Sequence, residues 1–442
     1  MYSCGPTVYG PAHIGNLRAY VFSDTIARVL LQAGYRLRRV INITDVGHLV
    51  GDGEEGEDKM SVGATREKKS PGEIASRYVK LFLEDLDNLN IDTRHILFPR
   101  ATEYIKEQIA LAKTLEEKGF AYRIPEGLYF DTEKFPAYGR LGNRQGVDLK
   151  EARIATVKGK RHASDFALWR TARPHDLQQW DSPWGRGNPG WHIECSAMSR
   201  ALLGQELDIH TGGEDHVATH HNNEIAQSEA ANGRRFVHYW MHNAFLNVFG
   251  ERIAKSLKND VLLSDITAKG FHPLALRYFF LQAHYRTPLA FSWEALAAAN
   301  EALTRLWRFA FELKDESGGR GQSSPALDRF VAAMHDDLST PQAIGGLWEA
   351  LKSEDLTPEE RWGLVESADH YLGLSLTRPP AETALLREKD LPKNVRKLLR
   401  EREAARKEKD FDLADRLRKE IEGSGYHVED GPEGPVLTRR VS

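Results

Sequence analysis

Two cysteines in 442 residues are too few to staple a chain of this length with disulfides, so Cys4 and Cys195 are ordinary buried thiols, reactive thiols or metal ligands. Nor does any apolar run approach the ~20 residues that a membrane-spanning helix needs, and no membrane partner is expected. Met1 leads straight into Tyr2-Ser3-Cys4-Gly5, without the basic stretch and apolar core of a secretory signal, which makes the cytoplasm the expected compartment. Charge of one sign is missing too. Sixty Lys and Arg stand against 64 Asp and Glu, a net charge of -4, and this excludes a uniformly basic nucleic-acid coat. The one local excess is modest: Leu391 to Glu422 carries eleven Lys/Arg and eight Asp/Glu on a helical pattern, which by charge alone reads as a solvated helix face. What the chain does have is core material. At 41% hydrophobic residues and roughly 150 residues per domain, it reads as about three globular domains.

The first segment has the pattern strand, loop, helix, strand. Met1 to Cys4 opens onto the turn formers Gly5, Pro6, Gly10 and Pro11, and Asn16 to Ala33 then carries Val21, Ile26, Val29 and Leu30 at helical spacing. Gly34 stands where a helix needs a left-handed residue after its end. Leu37 to Ile43 follows as a β-branched run, so the opening is a βαβ unit of a parallel sheet covered by helices. A right-handed crossover places the loop Gly5 to Ala12 at the carboxyl edge of that sheet, where open α/β sheets bind ligands. The glycine-rich, acidic stretch between Asp45 and Asp58 reads as a surface loop. Helical patterns return at Pro71 to Asn88 and Ala101 to Lys118. A change of composition over Arg123 to Pro189 marks a smaller inserted module, and Leu207 to His210 resumes the core pattern as a strand. From Pro273 onward the periodicity is almost wholly helical, broken by the linker Glu316 to Pro325 and by Pro379-Pro380.

Four features can carry chemistry. Cys195 is followed by a histidine-rich run from His210 through His216, His220 and His221 to Glu224. His220 and Glu224 are four apart and share a helix face, and thiolate, imidazole and carboxylate are all zinc donors, to which Cys4 could add a fourth. The same histidines are equally readable as polar residues at a helix start. His13-Ile14-Gly15-Asn16 lies where the glycine-rich loop enters a helix, a place that attracts phosphate, although His and Asn also stand there simply as caps. Lys255, in Arg252-Ile253-Ala254-Lys255-Ser256, could neutralise a triphosphate or be a surface lysine. Trp191 sits close to a candidate metal donor, or in the core.

Taken in order, these stretches resemble a known family. Tyr2-Ser-Cys4-Gly-Pro-Thr-Val-Tyr9 ahead of His13-Ile-Gly-Asn16, the strand end Asn42-Ile-Thr44-Asp45, Gly190-Trp-His-Ile-Glu-Cys195-Ser-Ala-Met198 and His220-His-Asn-Asn-Glu224 look like the cysteine-tRNA ligases, class I aminoacyl-tRNA synthetases. The likeness continues through Asp337-Leu-Ser-Thr-Pro-Gln342 to Lys409-Asp-Phe-Asp-Leu-Ala-Asp415 and Glu429-Asp-Gly-Pro432.

The resemblance implies an α/β fold: a Rossmann-like parallel-sheet catalytic domain split by an insertion, then a helical bundle and a small C-terminal tRNA-binding domain. The expected divisions are residues 1–108 and 189–245 for the catalytic halves, 109–188 for the insert, 246–315 for the lysine-loop region, 316–385 for the bundle and 386–442 for anticodon binding. His13, Gly15 and Asn16 match the HIGH signature, and Lys255 and Ser256 match the end of the KMSKS loop. His13, Asn16 and Lys255 would then be catalytic, and all five would bind ATP and its Mg2+. Gly213 and Asp215 fall in the segment that, by the resemblance, contacts the adenylate or the amino acid. Thr44 and Trp191 match residues lining the amino-acid pocket, and Cys4, Cys195, His220 and Glu224 match the ligands of one zinc ion. The implied partners are L-cysteine, ATP and tRNA(Cys). Arg252-Ile-Ala departs from the Lys-Met-Ser start of the loop, Thr219 and Asn222 from the usual Pro and Glu, and the acidic stretch after Asp45 is an insertion. Three rivals share some of these features: a mycothiol-type ligase joining cysteine to a glucosaminyl inositol, a zinc hydrolase with Glu194 as base, and a catalytically silent RNA-binding paralogue. The helix around Arg402 to Asp415 argues against the first, and a hydrolase has no use for His13 and Lys255.

Overall fold

The computed structural model describes residues 1–47, 49, 56–143, 157–174, 176–248, 250–252, 260–380, 386, 391–431 and 434–439. It divides into two compact units, Met1–Pro273 with Ala283–Ser292, and Leu274–Gln282 with Trp293–Ser442.

The first unit is built on a five-stranded sheet in the spatial order Ile96–Leu97, Arg39–Ile41, Tyr2–Ser3, Leu207–Gly213, Val237–Asn243. Every pairing is parallel, with Tyr2 between Val40 and His210 and Ser3 between Ile41 and Thr211. The expected βαβ opening is there: the strand Tyr2–Ser3 feeds the helix Ile14–Gln32, which returns to Arg39–Ile41. Leu17, Val21 and Ile26 of that helix are buried, and Gly34 terminates it with φ 84°, a conformation that costs a residue with a Cβ dearly. The chain runs outward from the central strand on one side and later resumes on the other. The crevice at the carboxyl ends of Tyr2–Ser3 and Leu207–Gly213 is therefore the switch point of the sheet, the place where α/β folds bind ligands.

Residues of the insert form a separate antiparallel sheet, Ala121–Ile124, Gly127–Phe130, Phe166–Thr171 and Gly187–Pro189, whose Leu128, Phe130, Phe166 and Trp169 are buried in one core cluster. Arg18 on the first helix is buried and donates to the carbonyls of Ala244, Phe245 and Thr287 at 2.7–2.8 Å, fixing that helix against the later part of the unit. The stretch beyond Pro273 is not helical throughout. Leu289–Phe291 is a strand, parallel to Leu246–Val248, which itself pairs with Glu251–Arg252. Three residues are too few to show a periodicity, and pairing to a distant strand decides their conformation.

The second unit is helical, from Trp293–Glu316 through Pro325–His335, Thr340–Lys352, Pro358–Leu372, Lys393–Lys407 and Phe411–Gly423. Buried Trp307 donates its Nε1 hydrogen to Leu374 O at 2.8 Å, and buried Arg277 donates to Leu372 O at 2.6 Å, so both polar groups are satisfied by chain ends of the bundle. The chain finishes in the hairpin Tyr426–Gly431 and Gly434–Arg439, whose Val428 and Leu437 share a core with Leu391, Val395, Leu399 and Ile421.

Candidate functional site

Cys4 emerges from the central strand at the switch point, held from both sides. Its N–H donates to Thr211 O at 3.1 Å, and the next N–H, that of Gly5, donates to Asn42 Oδ1 at 2.8 Å. Cys195 is buried on the helix Trp191–Leu203. That helix starts at Gly190 because nothing larger fits: a Cβ there would lie 1.9 Å from Ala167 O. His220 and Glu224 come from the first turns of the helix His220–Asn232, one above the other, with Nε2 3.0 Å from Oε1.

The donor atoms of Cys4, Cys195, His220 and Glu224 all lie within 4.8 Å of one another. A second set, Cys4, His210, His221 and Glu224, meets the same criterion and shares two members with the first. Glu224 stands at the junction: its Oε2 is 2.9 Å from His210 Nε2, its Oε1 3.9 Å from both His221 Nε2 and Cys4 Sγ. An outer ring of groups orients the inner one. His192 Nδ1 is 2.9 Å from His220 Nδ1, His242 Nε2 is 2.7 Å from His221 Nδ1, Trp191 stacks on His220 at 4.5 Å and Trp240 on His210 at 4.7 Å. Gly212 is glycine because imidazoles fill its side-chain space, with His216 Nδ1 and His221 Cε1 each 2.8 Å from where a Cβ would be.

The cluster polarises its members. A hydrogen bond from Cys4 brings the Cys195 thiol down to about 6 against the opposing effect of burial, whereas burial, followed by the hydrogen bond with Cys195, pushes the Cys4 thiol up. Burial works against charge on His220, but the Glu224 carboxylate and Cys195 outweigh it and raise the imidazole to about 10. Burial likewise opposes ionisation of Glu224, and His210 and His220 overcome it to hold the carboxyl at about 2. Burial, with His210 close by, keeps His221 neutral. Two thiols, a carboxylate and imidazoles, all buried, thus face one another across a few ångströms, and these are donor types that zinc takes once they are deprotonated.

The other residues singled out from sequence lie as follows. His13 caps the helix Ile14–Gln32: its Nδ1 accepts from Asn16 N at 3.2 Å while Asn16 Oδ1 accepts from His13 N at 3.2 Å, and Gly15 lies in the first turn between them. Thr44 is buried and donates to Glu194 Oε2 at 3.0 Å. Trp191 is half-buried over His220. Gly213 ends its strand so close to Asp215 that a Cβ would meet Asp215 Oδ1 at 2.3 Å, and Asp215 opens the short helix Asp215–Ala218. Lys255, Ser256 and most of the acidic insertion lie outside the described residues; Arg252 lies on the strand Glu251–Arg252. Reading the sequence passed over His210, His221 and His242 as site residues. The first two stand in the histidine run and are separable from it only by the register of the sheet. For His242, no local signal exists.

A parallel sheet whose switch point lies beside the histidine-capped start of a helix is the setting in which α/β enzymes bind nucleotides, and a family comparison places this chain among the class I aminoacyl-tRNA synthetases. The sequence profile described as "tRNA synthetases class I (C) catalytic domain" matches residues 1–301, and the fold is shared with methionyl-tRNA synthetase of Mycobacterium tuberculosis bound by methionyl-adenylate (TM-score 0.58, 15% identity, 86% of this chain and 92% of that one). The LeuRS-tRNA-LeuAMS ternary complex of Agrobacterium radiobacter is similar in fold as well (TM-score 0.64, 10% identity, 87% and 86%). Within that class the chain belongs to the cysteine-tRNA ligase family. It is 48% identical to "Cysteine--tRNA ligase 1" of Burkholderia lata over 99% of this chain and 92% of that protein, and 42% identical to the cysteine-tRNA ligase of Treponema denticola over 97% and 93%. A second profile, "Cysteinyl-tRNA ligase anticodon binding domain", matches residues 388–434.

Proposed function

We propose that the chain joins L-cysteine to tRNA(Cys) in two steps, forming cysteinyl-adenylate from cysteine and Mg2+-bound ATP and then passing the cysteinyl group to the terminal adenosine. The observation that carries this reading is the gathering of Cys4, Cys195, His220 and Glu224 within 4.8 Å at the switch point, where the capped helix Ile14–Gln32 begins. The donors fit zinc: two sulfurs, one imidazole nitrogen and one carboxylate oxygen, buried, with a ring of orienting histidines behind them. Cys4, Cys195, His220 and Glu224 would hold the ion, and a zinc held there would supply a soft acceptor for the thiolate of the substrate, which the hydroxyl of serine does not imitate.

The remaining work falls to the chain's own groups. Attack of the cysteine carboxylate on the α-phosphorus requires alignment and stabilisation of charge more than a protein base. His13 and Asn16, with Gly15 leaving room for close approach, hold the phosphates at a helix start whose dipole favours anions. Lys255 and Ser256 supply the second phosphate contact, and Gly213 and Asp215 face the adenylate. Trp191 closes the amino-acid pocket over His220. Thr44 orders that pocket through buried Glu194. In this assignment residues 1–108 and 189–245 make the adenylate, 109–188 form the insert, 246–315 carry the lysine loop, and the bundle 316–385 with residues 386–442 receive the tRNA; the protein works in the cytoplasm.

Cysteine-dependent ATP/pyrophosphate exchange by zinc-replete protein is the test of the first step, and charging of a tRNA(Cys) transcript tests the second. Absence of exchange sinks the catalytic reading; exchange without charging moves the acceptor away from tRNA.

A further inference from the structure

The second unit contains a groove to whose lining residues the ligase reading gives no individual role. About 600 Å³ in volume, it runs between the end of the helix Pro273–Leu281, the helix Trp293–Glu316 and the helix Thr340–Lys352. Its centre is Trp348, half-buried and fixed in place: the indole Nε1 donates to the Tyr278 hydroxyl at 3.0 Å, and Phe309 meets the ring edge-on at 6.0 Å. Two cations lie over that same indole, Arg305 at 5.7 Å and Lys352 at 5.5 Å from its centroid, both on long side chains that can swing aside for a stacking base. Both are exposed, and among the described residues neither has a carboxylate within ion-pair distance. An aromatic plate flanked by two uncompensated positive charges matches a ligand that combines a planar ring with an anion.

Gly345 leaves room beside the indole. It lines the groove from the middle of the helix Thr340–Lys352, an expensive position for glycine, yet a Cβ placed there meets nothing within 4 Å and its φ is ordinary. Neither packing nor backbone conformation asks for glycine. What its missing side chain does is leave one wall of the groove bare, which lets a flat ligand lie against the helix.

We propose that this groove is a nucleotide-binding site, taking a single nucleotide with its base on Trp348 and its phosphate between Arg305 and Lys352. The nucleotide is either free, as AMP, or an unpaired nucleotide of bound RNA; the RNA source rests on the ligase reading above, the free source does not. Two variants test the site in the full-length protein. Gly345→Leu fills the groove from a helix position that tolerates leucine better than glycine, and the double variant Arg305→Gln/Lys352→Gln removes the charges without touching the core. AMP stoichiometry is measured by isothermal titration calorimetry and tRNA(Cys) affinity by filter binding, with thermal melting as the check of folding.

If the site takes free nucleotide, both variants bind one AMP fewer per chain than the wild type. If it takes RNA, AMP binding is unchanged and tRNA affinity falls at least 10-fold in both. Unchanged binding of AMP and tRNA in the two variants overturns the proposal, and so does a change seen in only one of them. Cysteine-dependent ATP/pyrophosphate exchange stays at the wild-type rate throughout, so failure of the groove and failure of the ligase reading are separately visible.

Discussion

Gly5→Ala should empty the proposed zinc site while changing a residue that is not among its proposed ligands. A methyl group on Gly5 would lie 1.5 Å from Asn42 O and 2.6 Å from Asn42 C, where ordinary contact begins near 3.4 Å. The obstacle is backbone of the neighbouring strand end, so the loop after Tyr2–Ser3 must retreat by roughly 1.9 Å, the difference between contact and the present separation. Cys4 is the preceding residue and moves with it. Metal sites tolerate donor displacements of about 0.2 Å, and a misplacement of about 1 Å in a reacting constellation costs on the order of 100-fold. Loss of the Gly5 N to Asn42 Oδ1 bond adds about 1 kcal/mol of destabilisation. Gly72→Ala is the matched control: a Cβ there meets nothing within 4 Å, and alanine in the helix Pro71–Asn88 gains up to about 1 kcal/mol. The assay is zinc content after dialysis at a fixed free-zinc concentration, with thermal melting alongside. Gly5→Ala protein that keeps one zinc per chain at wild-type affinity and melts with the wild type would refute the reasoning.

Cys195→Ser removes a sulfur donor and should weaken zinc binding by more than about 100-fold, with serine activation in ATP/pyrophosphate exchange rising relative to cysteine; stoichiometric zinc in this variant contradicts the ligand assignment. Asp85, raised by burial and by Glu84 to about 7, binds a proton on folding between its ordinary 3.8 and that value. Stability therefore declines as pH rises through this window, by about 1–2 kcal/mol once its solvent contact is allowed for, and Asp85→Asn should melt higher than wild type at pH 8 with the gap closing toward pH 5. Trp307→Ala in the bundle removes a buried ring and its bond to Leu374 O, and should cost about 3–5 kcal/mol in urea unfolding of the second unit.

The parts of the fold that announced themselves in the sequence are those whose conformation is set locally. Val40, Ile41 and Ile43 mark a strand by their own shape, and Gly34 marks a helix end by the φ of 84° that it adopts. Ser70, Pro71 and Glu73 start a helix through a reciprocal cap, Glu73 N donating to Ser70 Oγ at 3.3 Å and Ser70 N to Glu73 Oε2 at 2.9 Å. Leu289–Phe291 was hidden because only a distant partner makes it a strand. The site divides along the same line. His220 and Glu224 meet because a helix brings residues four apart together, which spacing alone reveals. Cys4 and Cys195 meet them only through the order of strands, and the resemblance to a family supplied that order in advance. The second donor set, with His210 and His221, stayed invisible because it depends on which face of the strand Leu207–Gly213 looks toward the helix His220–Asn232.

The placement of the donors along the chain has a consequence for how the protein comes into being. The strand Tyr2–Ser3 is made some two hundred residues before its neighbour Leu207–Gly213, and the imidazole and carboxylate of the cluster arrive only at His220 and Glu224. During synthesis the central strand therefore waits with one edge open, and Cys4 stays without the second thiol until Cys195 has been made. Under the proposed zinc assignment, metal capture would be postponed until both halves of the sheet have found each other, and a bound ion would be a record of completed assembly.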